Sequence, residues 1–122
     1  MSAVRSKRVL VADRDEIVLV LARHVLTREG YAVDVASDMA MLDDLLRLNT
    51  YDSILVDVNL AGTEWLQALP PGTSDCVIAI VSADHGPLPV KAVIRKPLEL
   101  DTLAEIVERC GQSTSGSAND AP

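Results

Sequence analysis

Five short apolar runs alternate with helical segments along this chain, and this alternation constrains the fold more than any other feature of the sequence. Most of the runs are continuous and do not alternate with polar residues, which is typical of parallel strands buried on both faces. The runs lie at 9–12, 31–36, 53–57, 76–81 and 92–95. The pattern predicts an α/β fold: a doubly wound, five-stranded parallel sheet of order 2-1-3-4-5 with helices on both faces.

The first predicted helix, residues 15–29, carries more apolar side chains than one buried stripe requires. Asp13 or Asp15 can cap its start, and Gly30 suits its end. The inward stripe is predicted to consist of Ile17, Leu21 and Val25, widened by Val18 and Ala22. Outside that stripe lie Leu19, Val20 and Leu26. We expect this surplus apolar surface to contact a partner protein.

Length and composition predict one domain over residues 1–111. Residues 112–122 are rich in Ser, Gly, Ala and Asn, and we expect them to form a disordered tail or a linker. The formal net charge of −7 argues against direct binding of nucleic acid, because phosphate backbones require a face rich in Lys and Arg.

The two cysteines, Cys76 and Cys110, lack the spacing of a metal site or of a disulfide framework. We therefore expect both to be reduced thiols in a cytoplasmic protein. No apolar stretch reaches the length of a membrane span or of a signal-peptide core, so no membrane partner is expected.

Polar residues stand at the ends of four of the predicted strands. Asp13 follows the first, Asp57 ends the third, Ser82 follows the fourth and Lys96 follows the fifth. In parallel sheets, ligands bind beyond the carboxyl ends of the strands, so these side chains are expected to converge there. Two carboxylates, a hydroxyl and an ammonium suit phosphoryl transfer, in which an aspartate can act as nucleophile and Mg²⁺ can neutralise charge.

This set of motifs resembles the receiver domains of response regulators in bacterial two-component signalling. The resemblance spans about residues 7–110 and rests on four short motifs in the right order, each weak when taken alone. They are KRVLVAD at 7–13, YDSILVDVNLAG at 51–62, VSA at 81–83 and RKPL at 95–98, supported by EGYAVDVASD at 29–38.

The resemblance implies a role for each matching residue. Asp57 would be the phosphoacceptor, and Ser82 and Lys96 would be the switch hydroxyl and the phosphate-binding lysine. Asp13 and Asp57 would ligate Mg²⁺, together with the backbone carbonyl of Asn59. The resemblance also implies a cis peptide bond between Lys96 and the proline that follows it.

Three departures from the family pattern bear on this assignment. Arg14 stands where the family has a second acidic metal ligand, and Val93 stands where it has an aromatic switch residue. Residues 82–96 are too few for the helix that the family places between its fourth and fifth strands. Because one carboxylate is replaced by a cation, we expect Mg²⁺ binding to be weak or absent.

Three functions follow from these observations. The first is a degenerate receiver, a protein-interaction module that is not an enzyme and whose partner is a sensor kinase, a phosphotransfer protein or another signalling protein. The second is a conventional switch that accepts phosphate on Asp57 from such a kinase or phosphotransfer protein. The third, a flavodoxin-like cofactor binder, is disfavoured because the first strand leads into Asp13 and Arg14 rather than a Gly-rich phosphate loop.

Overall fold

The computed structural model describes residues 7–70, 73–74, 76–83 and 86–119, with side chains up to Cys110. The elements in chain order are β1 (Arg8–Ala12), α1 (Glu16–Arg28), β2 (Ala32–Ala36), α2 (Met39–Leu48), β3 (Ser53–Asp57), α3 (Val58–Ala61), α4 (Thr63–Ala68), β4 (Cys76–Val81), β5 (Ala92–Arg95) and α5 (Leu100–Asn119). Two short helices, α3 and α4, follow β3 directly.

The five strands form one parallel sheet in the order β2-β1-β3-β4-β5, which confirms the predicted topology. Its central strands are fully buried, and this explains why they are continuous apolar runs in the sequence. In the register of the sheet, Asp57 pairs with Ile80, one strand position before Val81. The end of β3 and the end of β4 therefore reach the same edge of the sheet.

The helices cover both faces of the sheet and enclose two separate cores. One core lies beneath α1 and α5, and its members include Leu26, Leu103 and Val107. The other lies beneath α2, α3 and α4, and its members include Leu42 and Leu66. This is the doubly wound arrangement that right-handed crossovers between parallel strands produce.

The buried face of α1 differs from the prediction. Val18, Leu19, Ala22 and Leu26 are the buried residues of this helix. Ile17 and Leu21, which were predicted to face inward, are exposed, as is Val20. The helix carries two apolar stripes on adjacent faces, and helical periodicity alone does not say which of them meets the sheet.

The connection between β4 and β5 contains no helix in the residues that the structure describes, 82–83 and 86–91, as predicted. Gly86 has a φ of 68°, and Pro87 and Pro89 also disfavour regular helix. Leu88 and Val90 pack instead against the core beneath α2. This short segment thus covers part of the sheet face that lies beneath α2. In the family that the sequence resembles, a helix occupies this connection.

The prediction that both cysteines are reduced is wrong. Cys76, at the start of β4, and Cys110, on α5, are joined by a disulfide, with their Cα atoms 5.9 Å apart. The two residues are separated by 34 positions in the chain. Their proximity comes from the packing of α5 against the sheet, which no local spacing in the sequence reveals.

The last helix is longer than predicted. It continues to Asn119, so residues 112–119 are helical in the structure and do not form the disordered tail that their composition predicts. Extending an existing helix adds one hydrogen bond per residue without a new nucleation step, so residues of low intrinsic propensity can continue it. The division of the chain at residue 111 remains a prediction, and residues 120–122 lie outside the described residues.

Among the described residues, no helix is long and apolar enough to cross a membrane.

Candidate functional site

Three charged side chains meet at the carboxyl edge of the sheet. The Lys96 ammonium lies 3.0 Å from Oδ2 and 3.2 Å from Oδ1 of Asp13, and 3.2 Å from Oδ2 of Asp57. Both aspartates are buried, and Lys96 is partly exposed. The predicted convergence of these residues is therefore confirmed, whereas their chemical roles remain predictions.

The backbone that follows each strand positions these carboxylates. Asp13 directly follows β1, and its Oδ1 accepts a hydrogen bond from the backbone N–H of Asp15 at 2.9 Å. Asp15 in turn caps α1 by accepting from the N–H of Ile17. Asp57 caps α3, with Oδ1 accepting from the N–H of Asn59 at 3.0 Å. Each carboxylate thus has one oxygen held by the backbone, which fixes its orientation.

Burial dominates the electrostatics of Asp13. Desolvation raises the pKa of this carboxyl above its usual value, against the opposing effects of the Asp15 N–H and the Lys96 ammonium. The buried Oδ2 makes no hydrogen bond of good geometry, although Lys96 lies 3.0 Å away as an ion-pair partner. Burial also lowers the pKa of Lys96, but the two carboxylates outweigh it and leave that pKa raised.

Lys96 is placed by the end of β5. Its backbone N–H donates to the carbonyl of Val81 at 2.8 Å, which continues the pairing of β5 with β4 for one more residue. The peptide bond between Lys96 and Pro97 is cis, as the family resemblance implies.

Ser82 and Asn59 form a second polar contact at this edge. The Asn59 side-chain amide donates to the Ser82 hydroxyl at 3.1 Å. Both residues are exposed, so this contact lies at the surface above Asp57. The family resemblance implied only a backbone carbonyl role for Asn59. Its side-chain contact was missed because it joins α3 to the residue that follows β4, 23 positions away in the chain.

The donor set fits a tightly held divalent cation poorly. Arg14, the residue next to Asp13, has an exposed side chain, and the two remaining carboxylates already share the Lys96 ammonium. Among the described residues, no three His, Cys, Asp or Glu side chains are grouped so that they could hold a metal ion. Asp13, Asp57 and Lys96 together carry a formal charge of −1, one negative charge fewer than three carboxylates and a lysine.

A separate groove lies away from this site. It has a volume of about 600 Å³ and runs between the end of α2 and α4, with Trp65, Leu46 and Leu69 among its lining residues. Trp65 also packs against the core beneath α2. Neither Asp13, Asp57 nor Lys96 lines this groove.

The chain resembles known proteins in its structure. No protein-family model matches the chain, and no curated protein matches it by sequence. A CheY-like response regulator receiver domain protein from Methanospirillum hungatei superposes with a TM-score of 0.74 at 25% identity, over 92% of this chain and 99% of the other.

Two further solved structures agree. A response regulator from Thermotoga maritima gives a TM-score of 0.71 at 22% identity, over 89% of this chain and all of the other. NtrX from Brucella abortus gives 0.78 at 19% identity, over 94% of this chain but only 28% of the longer NtrX chain. The structural neighbours of this chain are therefore response-regulator receiver domains, which confirms the resemblance found in the sequence.

Proposed function

We propose that this chain acts as an atypical receiver domain in two-component signal transduction. In this proposal it is a protein-interaction module and not an enzyme, with Asp57 at the phosphoacceptor position and a weakened Mg²⁺ site. The fold and its neighbours support the receiver assignment. The atypical character is supported by Arg14 and by the two-carboxylate donor set described above.

One observation carries this proposal: among the described residues, no third acidic side chain joins Asp13 and Asp57 in a group that could hold a metal ion, and Arg14 stands where the family has its second acidic residue. Lys96 contacts Asp13 and Asp57 at 3.0–3.2 Å, so part of the charge that would otherwise attract a divalent cation is neutralised. Direct ligation by Mg²⁺ would have to compete with this ion pair, and Mg²⁺ demands near-ideal octahedral geometry. The exposed guanidinium of Arg14 adds further positive charge next to Asp13.

The conventional switch is the second candidate, and the retained chemistry of Asp57 favours it. An oxygen of this carboxylate would attack the phosphorus of a phosphodonor, and the donor's leaving group would depart as the new P–O bond forms. Lys96 would neutralise the phosphoryl oxygens, and the Ser82 hydroxyl would donate to one of them after leaving Asn59. If Mg²⁺ binds, it supplies charge neutralisation on the phosphoryl group, held by Asp13 and Asp57.

The two candidates are separated by incubating the protein with acetyl phosphate, with and without Mg²⁺, and measuring intact mass. The atypical receiver is expected to gain little or no phosphate over the time in which an unmodified receiver domain used as a positive control is fully labelled. Asp57→Asn is the matched negative control. Rapid Mg²⁺-dependent labelling that is lost in Asp57→Asn would establish the conventional switch instead.

We further propose that partner proteins contact the exposed face of α1. Ile17, Val20 and Leu21 are exposed along one side of this helix, close in sequence to Asp13. A sensor kinase or a phosphotransfer protein in the cytoplasm is the proposed partner. Val20→Glu should abolish cross-linking to such a partner, whereas Leu48→Glu, at an equally exposed site on α2, should not. Equal loss in both variants would contradict this surface.

The absorbance spectrum of the purified protein tests the third candidate. A flavin or another bound chromophore would show as visible absorbance that copurifies with the chain, and its presence would overturn the receiver proposal.

A further inference from the structure

The disulfide closes a loop of the chain that contains Lys96. The loop between Cys76 and Cys110 spans 34 positions and contains β4, Ser82, β5, Lys96 and the first half of α5. The two aspartates of the site lie outside this loop. Cleavage of the disulfide therefore removes a constraint on the segment that carries Lys96. It does not change how the segments that carry Asp13 and Asp57 are connected.

Among the described strands, β5 has a single neighbour in the sheet. It is the edge strand and pairs only with β4 in the described sheet. One face contributes Ile94 to the core beneath α5, whereas Val93 and Arg95 on the other face are exposed. In the described part of the preceding connection there is no helix to cover that second face. The disulfide thus joins β4 to α5, and α5 is the helix that packs on the face of the sheet to which Ile94 points.

A cavity lies beside Cys110 on the surface of α5. It has a volume of about 190 Å³ and is lined by Cys110, Lys91, Ala92, Ile106 and Arg109. Two of these residues are cationic, although Arg109 also pairs with Glu105 at 2.9 Å. Positive charge next to a cysteine attracts anionic thiols and stabilises a cysteine thiolate. Cys76 is buried at 1% exposure and does not line this cavity, whereas Cys110, buried at 5% exposure, does.

We propose that the Cys76–Cys110 disulfide is a thiol-exchange site, cleaved by anionic thiols that enter the cavity beside Cys110, and that its cleavage loosens β5 and α5 around Lys96. This inference rests on the geometry of the disulfide and not on phosphorylation of Asp57. In a compartment that keeps thiols reduced, protein disulfides are mostly transient, catalytic or redox-sensing. A regulatory role for the Cys76–Cys110 disulfide agrees with this tendency.

The exchange proceeds in two steps that balance. A thiolate attacks Sγ of Cys110, the protein S–S bond breaks, and Cys76 leaves as a thiolate that takes up a proton from water. A second thiol attacks the mixed disulfide at the reductant's sulfur and releases Cys110 as a thiol. The protein disulfide gains two electrons, and two reductant thiols are oxidised to one disulfide.

The first test is chemical. In protein purified without reductant, alkylation under denaturing conditions should add no group by intact mass, and after treatment of the folded protein with glutathione it should add two. Lys91→Gln should slow this reduction about threefold, whereas Arg47→Gln, on the opposite face of the sheet, should leave it unchanged. Free thiols in the untreated protein would overturn the proposal, and equal rates in both variants would overturn the assigned entry cavity.

The second test measures the consequence by hydrogen exchange in the wild-type protein. Reduction with dithiothreitol should speed exchange at least tenfold for amides of β5 and α5, including the Lys96 N–H that bonds to Val81, with less than a threefold change in β1, β2 and α2. The double variant Cys76→Ala/Cys110→Ala should not respond to dithiothreitol. Exchange that rises equally throughout the molecule, or nowhere, would contradict a local effect on Lys96.

A loss of thermal stability accompanies this change. Closing a loop of this length is expected to raise Tm by about 10–20 °C in a domain of this size. The reduced protein must nevertheless stay folded at 25 °C for the exchange pattern to be local, and its far-UV circular dichroism monitors this directly. Global unfolding on reduction would overturn the proposed switch and leave a structural staple.

Discussion

At the scale of single residues, Lys96 is the cation on which both buried carboxylates depend. We predict that Lys96→Ala raises the pKa of Asp13 further, because an opposite charge within ion-pair distance is removed. The variant should also lose about 2 kcal/mol of unfolding free energy at pH 7. That loss should fade as the pH falls through the pKa of Asp13, since a protonated carboxyl no longer requires the cation.

The measurements are a carbon-detected NMR titration of the Asp13 carboxyl and urea unfolding at several pH values. Lys96→Arg is the control, because it keeps a cation at the same strand end. An Asp13 titration unchanged by Lys96→Ala would mean that the ion pair contributes nothing to the charge state of the site.

Tyr51 supports a second prediction, at the opposite end of the sheet. Burial, followed by the hydrogen bond to Asp34, raises the pKa of its phenol from 10.0 to about 12. The folded state therefore holds this proton more tightly than the unfolded chain. The resulting stabilisation is fully present below pH 10 and is lost as the pH rises from 10 to about 12.

Tyr51→Phe removes this titration, so the stability difference between wild type and variant should be constant from pH 7 to 9. Above pH 10 the wild type should lose about 1–2 kcal/mol relative to the variant. Chemical denaturation of both proteins at matched pH measures it, and the comparison cancels other alkaline titrations such as that of Lys96. Parallel pH profiles would show that the phenol titrates alike in both states.

At the scale of elements, the orientation of α1 makes a sharp prediction, because the structure reverses part of the sequence-based assignment. Leu26 is fully buried, whereas Val20 is 66% exposed. Leu26→Ala should cost about 3 kcal/mol of stability through lost burial and a cavity, and Val20→Ala less than about 1 kcal/mol. Urea midpoints of the two variants test the buried face of α1, and a larger loss of stability in Val20→Ala than in Leu26→Ala would contradict it.

The elements also show which parts of the fold are readable from sequence. The bounds of β3, β4 and β5 match the predicted apolar runs because parallel strands buried on both faces carry no competing polar pattern. The face of α1 was not readable, since adjacent apolar stripes satisfy the same helical period. The positions of Asp13, Asp57 and Lys96 followed from strand ends alone. The disulfide and the Asn59–Ser82 contact join distant segments, and only the folded packing brings them together.

At the scale of the whole molecule, the ion pairs and the disulfide lie towards opposite ends of the strands. The carboxyl edge gathers Asp13, Asp57 and Lys96, whereas the disulfide lies at the start of β4, towards the other end of the sheet. The β5–α5 segment connects the two, because it carries both Lys96 and Cys110. In the proposed thiol-exchange switch, cleavage of the disulfide would act on Lys96 through this segment.

The charge balance of the carboxyl edge gives the last prediction, which decides what the molecule does. Asp13, Asp57 and Lys96 carry a formal sum of −1, and the exposed Arg14 beside them opposes a further cation. Arg14→Asp adds a potential oxygen ligand and changes the local charge by two units, so we expect Mg²⁺ affinity to rise at least tenfold. A Mg²⁺ titration followed by the amide NMR signals of Asp13 and Asn59 measures the affinity, with Arg23→Asp, on α1, as a control for net charge. If the natural protein binds Mg²⁺ as tightly as Arg14→Asp, the weakened metal site is wrong, and the conventional phosphorylatable switch becomes the better account of this chain.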